Sequence, residues 1–243
     1  MRILLLSVLS LTTSLLFSQA PLVPRSVTNG TLPIPLEGTS QVNLGTNPFL
    51  GIGHGYKGNN TMGEVAGSPY LFEDWRSGEV TLNNGERYKI PKMNFDASQN
   101  KFIYVVGDST YEFLDNVREI KIYGKDDAKD DMIFRTDINP TAANYVQLIT
   151  KGKITIFCDY LKKPEGENYS NGIVNNTRKY VLHKDYYYIS NNNRIPLKFG
   201  SHELQDLTSD KSDIVSSYVR SNHLKVKKDD DFIQAVQYYN SLN

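Results

Sequence analysis

From residue 70 onward the chain is written in short runs in which apolar and polar residues take turns. Val80 and Leu82 alternate with Glu79 and Thr81. Side chains of a strand point to opposite faces in turn, so this pattern gives a strand with one buried face. Asn83-Asn84-Gly85 follows, a strong hairpin signal because Asn and Gly tolerate the positive φ of tight turns. Tyr88 and Ile90 continue on the returning strand, with Arg87 and Lys89 on its other face. Residues 101–106 are apolar on both faces, as in a central strand covered on each side. Gly107-Asp108-Ser109 turns the chain towards Tyr111 and Phe113, and Ile120 and Ile122 alternate with Glu119, Lys121 and Tyr123. Further strands are predicted over 132–135, 145–150, 154–160, 180–183, 186–190 and 194–197, with polar loops over 124–131 and 161–177. Runs of strands with no helix between them predict a mainly β fold: an antiparallel meander, open or curled into a partial barrel.

The period changes after residue 200. Leu204 and Leu207 lead to a helix capped near Ser209 or Asp210, with Ile214, Val215 and Tyr218 at helical spacing and Ser221-Asn222-His223 at its end. Asp229, Asp230 and Asp231 open a second helix, where one carboxylate can cap free amides and the others suit the positive end of the helix dipole. Phe232, Val236 and Tyr239 then recur at spacings of four and three, with Leu242 three further on. This predicts a short C-terminal helical hairpin with one apolar face. Such a hairpin is marginal alone, so it should dock on the sheet or on a partner.

The N-terminus carries a different pattern. Arg2 precedes an apolar run over residues 3–17, and Ser18-Gln19-Ala20 offers small residues for a signal peptidase. The run is shorter than the roughly 20 residues that span a bilayer, so a cleaved secretory signal is the expectation and an uncleaved anchor the alternative. Residues 21–66 are rich in Pro, Gly, Asn and Thr and lack strand or helix periodicity, which reads as a flexible leader. The expected organisation is therefore 1–20 signal peptide, 21–66 leader, 67–200 antiparallel β domain and 201–243 C-terminal helices. No later stretch is apolar enough to cross a membrane as a helix.

Composition narrows the function classes. The 27 basic and 27 acidic residues cancel, which argues against a general nucleic-acid binder. The one cysteine, Cys158, lies in an alternating apolar run and reads as a buried, inert thiol; alone it makes no internal disulfide. The histidines His54, His183, His202 and His223 lack the close pairing of a zinc site, and no Gly-x-Ser-x-Gly occurs. Gly51-Ile52-Gly53-His54-Gly55 neither follows a strand nor opens a helix, so it reads as a solvated loop rather than a phosphate cradle. Glu73 and Asp74 beside the lone Trp75 are the best-placed carboxylates for hydrolysis, but neighbours on a strand face opposite ways. The cluster Asp126, Asp127, Asp130 and Asp131 lacks an EF-hand pattern and reads as a solvated turn. Sixteen tyrosines, with Tyr186-Tyr187-Tyr188 among them, suit both sheet packing and a binding surface. No catalytic, cofactor or metal residues are assigned, and no cofactor is expected.

Gly67-Ser68-Pro69-Tyr70-Leu71, Gly78-Glu79-Val80, Asn84-Gly85 with Tyr88, Arg178-Lys179-Tyr180, the basic stretch Lys225 to Lys228 and the closing Tyr238-Tyr239-Asn240-Ser241-Leu242 resemble a family of exported β-rich proteins from Gram-negative bacteria with no known activity. The resemblance implies export and a β fold over about 175 residues and carries no functional residue across. In such a bacterial route the Asn-x-Ser/Thr sequences at Asn29, Asn59, Asn168 and Asn175 carry no message. The expected function is non-catalytic binding of a partner protein or an apolar ligand in the periplasm or outside the cell. An envelope hydrolase acting on glycan or peptide, and an adhesion or scaffold module, are the alternatives.

Overall fold

A computed structural model describes residues 34–35, 53–55, 65–113, 116–125, 130–138, 144–166, 178–191 and 193–242. The fold is mainly β, an antiparallel sheet that does not close on itself, followed by three short helices. The strands are β1 (Ile34–Pro35), β2 (Gly53–Gly55), β3 (Arg76–Leu82), β4 (Arg87–Asp96), β5 (Lys101–Val106), β6 (Ser109–Phe113), β7 (Val117–Ile122), β8 (Met132–Arg135), β9 (Val146–Thr150), β10 (Ile156–Glu165), β11 (Lys179–Ser190) and β12 (Asn193–Pro196). They are followed by α1 (Ser201–Leu207), a 3-10 turn (Ser209–Lys211), α2 (Ser212–Ser221) and α3 (Asp229–Ser241).

The sheet consists of two meanders joined side by side. Its order is β12-β11-β10-β9-β8-β7-β3-β4-β5-β6-β2, with β1 added to β4. After β6 the chain returns to the far edge of β3, so β7 pairs with β3 and opens the second meander. Local signals set the hairpins. At the β3–β4 turn Gly85 has a φ of 89° and the Asn84 side chain accepts from the Glu86 amide at 3.0 Å. Pro91 lies within β4, where it has no N–H to give a ladder. Before it β4 pairs with β3, and from Met93 onward it also pairs with β5, with a register shift opposite on β3.

The sheet rolls up across these bends. β4 and β5 are separated from β9 and β10 by three or more strands, yet they meet. The Asn100 side chain donates to the Tyr145 carbonyl at 3.0 Å and accepts from its amide at 2.7 Å, and the Lys162 amide donates to the Ala97 carbonyl at 3.1 Å. The space enclosed is filled by rings. Phe102 lies 4.7 Å from Phe95, 4.9 Å from Phe134 and 4.9 Å from Tyr145, centroid to centroid. Val80, Tyr88, Ile90, Ile120 and Cys158 complete this first core.

Residues 65–72 form a strap over the open side of the roll. The Ala97 amide donates to the Pro69 carbonyl and the Leu71 amide to the Phe95 carbonyl, while Ala66 exchanges bonds with Arg178 and Tyr180 at the edge of β11. The Lys162 ammonium reaches the Ser68 and Tyr70 carbonyls from below. Burial draws the Lys162 ammonium down from its ordinary pKa, a shift that Glu73 and Asp96 oppose. The long described run begins at Val65, and two pieces of the expected leader, β1 and β2, also pair with the sheet. The Gly51–Gly55 stretch is not a free loop over its last three residues: it pairs with Tyr111, Glu112 and Phe113. Backbone pairing needs no apolar pattern, so periodicity did not reveal these pieces. Residues 1–20, expected as a signal peptide, and the remainder of residues 21–64 lie outside the described residues, and among the described ones no helix is long and apolar enough to cross a membrane.

The helices pack on the β9–β12 end of the same inner face. Phe232, Ala235, Val236 and Tyr239 of α3 are buried with Ile154, Ile156, Leu197, Leu204 and Val215. Phe199 links sheet to helix, with its ring 5.1 Å from Tyr186 and 5.3 Å from Phe232. Asn240 docks the end of α3, accepting from the Ile154 amide at 2.9 Å and donating to its carbonyl at 2.7 Å. Two local expectations need correction. Ile214 is one of the most exposed large apolar residues, because only the Val215 side of α2 meets the core. Lys228, not Asp229, holds the N-cap position of α3, and the cap has no side-chain bond. Asp229 is instead taken by Tyr186, whose hydroxyl donates to its carboxylate at 3.0 Å, and Asp231 accepts from the Lys225 amide at 2.7 Å.

Candidate functional site

The inner face of the sheet is filled by the chain's own side chains. The three tyrosines 186–188 divide by strand alternation. Tyr186 and Tyr188 pack inwards under the helices, whereas Tyr187 lies on the outer face against Val146, Phe157 and Leu148. The Tyr187 and Phe157 rings are stacked at 5.6 Å. Arg194 of β12 covers the other side, its guanidinium 3.6 Å from the Tyr187 ring centre. The same Arg194 donates to Asp159 Oδ2 at 2.5 Å, which fixes the plane of the guanidinium. Burial pushes the Tyr187 hydroxyl up to about 12, with Asp159 adding to the shift and Arg194 opposing it.

Two carboxylates meet on this face. Asp159 of β10 and Asp185 of β11 are direct register partners. Like charges placed opposite each other on a sheet are destabilising. Arg194 answers Asp159 alone, and Asp185 has no ion-pair partner among the described residues. Next to Asp185 the surface falls into a notch of about 380 Å³, lined by Lys184, Asp185, Tyr187, Arg194, Leu197 and Phe199. The notch lies where β12 ends and, among the described residues, no strand continues along the outer edge of β11. Arg194 laid over the buried Tyr187 ring, a carboxylate with no ion-pair partner among the described residues, and a notch with both charged and apolar walls thus lie together at this end of the sheet.

The remaining candidates do not converge. Glu73 and Asp74 lie in a bend before β3 rather than on a strand, and Asp74 pairs with Lys125 at 2.8 Å on an exposed surface. His183 bonds Glu165 at 2.5 Å and His202 bonds Asp206 at 2.9 Å, both in the open. Asp131 accepts from Lys121 at 2.8 Å and from the Gly124 amide at 2.8 Å; the Lys121 bond above all holds its carboxyl below the usual range. Asp126 and Asp127 lie outside the described residues, as does the side chain of His54. Among the described residues no group of three or more His, Cys, Asp or Glu could hold a metal ion. Cys158 is fully buried, and burial pushes its thiol up to about 12. A second, wide-open depression of about 510 Å³ lies on α2 and α3 around Ile214, Tyr218 and Tyr238, whose tyrosine rings are parallel at 3.9 Å.

Of the outer-face residues, periodicity and motif reading singled out only Tyr187, as part of the tyrosine run. Asp159 and Asp185 look like ordinary polar positions of alternating strands, and Arg194 like a solvent residue of β12. Only the register of β10, β11 and β12 places them together. Comparison with family models, with curated proteins and with solved structures returns no match.

Proposed function

We propose that this chain is an exported, non-catalytic binding protein of the cell envelope, and that it docks a partner protein on the outer face of β10–β12. The observation that carries the reading is the Tyr187–Arg194–Asp159 stack with the uncompensated Asp185 beside it. Aromatic and arginine anchors held in place by neighbours are the features that concentrate binding energy at protein interfaces. The apolar-ligand version of the reading has less support, because the rolled sheet is occupied by Phe95, Phe102, Phe134 and Tyr145 and its notch opens outwards. The export half rests on the residues 2–20 pattern and on the family resemblance.

Site-specific photocrosslinking in the native host tests the docking face. A photoreactive residue at His183, on the same outer face two residues from Asp185, should give a discrete adduct that disappears when Arg194→Ala is added, while one at Ile214 should not give that adduct. Equal adducts from both positions, or an adduct indifferent to Arg194→Ala, would refute the assignment. Sequencing the N-terminus of the protein recovered from periplasm or medium tests export; an intact Met1 on membrane-bound chain would refute it.

A further inference from the structure

We infer that the partner is held as an added strand: an extended peptide segment carrying a basic residue pairs with the free edge of β11 between Tyr180 and Tyr186. This rests on the docking-face reading and adds the partner's conformation and charge. The edge already accepts chain at both of its ends. Tyr180 donates its amide to Ala66, and Tyr186 accepts from the Leu197 amide with its carbonyl. In a strand, alternate residues turn their main-chain groups to the same side. Leu182 and Lys184 therefore present their N–H and C=O groups outwards, while residues 181, 183 and 185 turn theirs to β10. No described residue pairs with these outward groups, and Leu182, Lys184 and Asp185 are exposed. From Tyr180 to Tyr186 the edge spans six residue steps, about 20 Å at roughly 3.3 Å per step.

An exposed row of unpaired main-chain groups is a template for strand addition. The side chains along it define the ligand. On the outer face a ligand residue opposite Asp185 meets a carboxylate without a cation, so a Lys or Arg fits there. The neighbouring notch of about 380 Å³, with Phe199 and Leu197 in its wall, takes an apolar side chain next to it. On the inner side Lys184 and Asp229 lie 3.9 Å apart and already answer each other.

The test uses peptides selected from a random heptapeptide library on the chain from residue 21 to 243. Selected sequences should carry a Lys or Arg, and amide hydrogen exchange should show the Leu182 and Lys184 amides fast in the free protein and slowed at least tenfold on binding. Asp185→Lys should lower affinity at least tenfold, and a peptide with the basic residue changed to Glu should recover it. Lys184→Pro removes one outward donor and leaves the bonds to β10 in place; it should abolish binding at unchanged circular dichroism. If that variant misfolds, the exchange measurement on wild type decides. Peptides that bind without slowing the two amides overturn the inference, as does the absence of any binder or protection of the same amides by self-association. Loss of the crosslinked partner with Arg194→Ala but not with Lys184→Pro would leave the docking face standing and strand addition refuted.

Discussion

Phe232→Ala tests whether helices and sheet form one cooperative structure. Phe232 is 0% exposed and packs edge-on against Phe199 at 5.3 Å, in the core that contains Ile156 of the sheet and Leu204 and Val215 of the other helices. Removing the ring forfeits about 1.5–3 kcal/mol of transfer energy. The cavity left behind raises the cost to about 3–5 kcal/mol. The two cores share Ile149 and Tyr186, so losing the helical contacts should weaken the whole body rather than only its end. A urea melt followed by far-ultraviolet circular dichroism and by tyrosine fluorescence should give one transition, shifted to lower urea with the slope preserved. A domain of this size should lose about 6–20 °C in Tm. Ile214→Ala, on the exposed side of α2, is the control and should change stability by less than about 0.5 kcal/mol. A Phe232→Ala loss below about 1 kcal/mol, or two separate transitions in the wild type, would refute the argument that the helices are integral to the fold.

Three further outcomes are expected. Cys158 should resist iodoacetamide at pH 8 in the folded protein and react on unfolding, measured by mass shift; rapid native alkylation would contradict its burial. Gly78→Ala should destabilise the sheet by about 2 kcal/mol or more in the same melt, because a Cβ there meets the Lys121 carbonyl of the paired strand β7 and backbone cannot step aside. At Asp229 burial pushes the carboxyl pKa up, but the Tyr186 hydroxyl, the Asp230 amide and Lys184 outweigh it and hold it below the ordinary 3.8. The charged form is thus favoured by folding, so its stabilisation is complete above the unfolded pKa and is lost as pH falls through the folded one. Asp229→Asn should therefore reduce the drop in stability between pH 5 and pH 2 in an acid titration of the melt, and an unchanged drop would contradict this.

How much could be read beforehand differs from element to element. The alternation of Val80, Leu82, Tyr88 and Ile90 placed each of these side chains in the core, since period two on a one-sided sheet has a single solution. The helical spacing of Phe232, Val236 and Tyr239 likewise gave a buried face. Polar residues misled where both sides of a strand are wet. Lys184 and Asp185 looked like a break between two strands, yet they continue β11, paired with Tyr160 and Asp159, because at an open edge neither side chain has to be buried. Leu161 to Glu165 looked like loop for the same reason and extend β10.

Local sequence by itself determined the elements: the hairpins, the antiparallel class, the apolar face of α3 and the buried environment of Cys158. These follow from forces acting within a few residues, namely side-chain direction, turn dihedrals and the partition of apolar groups. The tertiary structure alone decided what lies next to what. The return of β7 to β3, the roll that brings Lys162 to Ala97, and the strap from Val65 depend on main-chain bonds between residues far apart, and such bonds leave no side-chain signature. The same holds for the candidate site. Asp159, Asp185, Tyr187 and Arg194 come from three strands, and each is unremarkable in its own run. Their charge imbalance and their stack exist only once the register of β10, β11 and β12 is set.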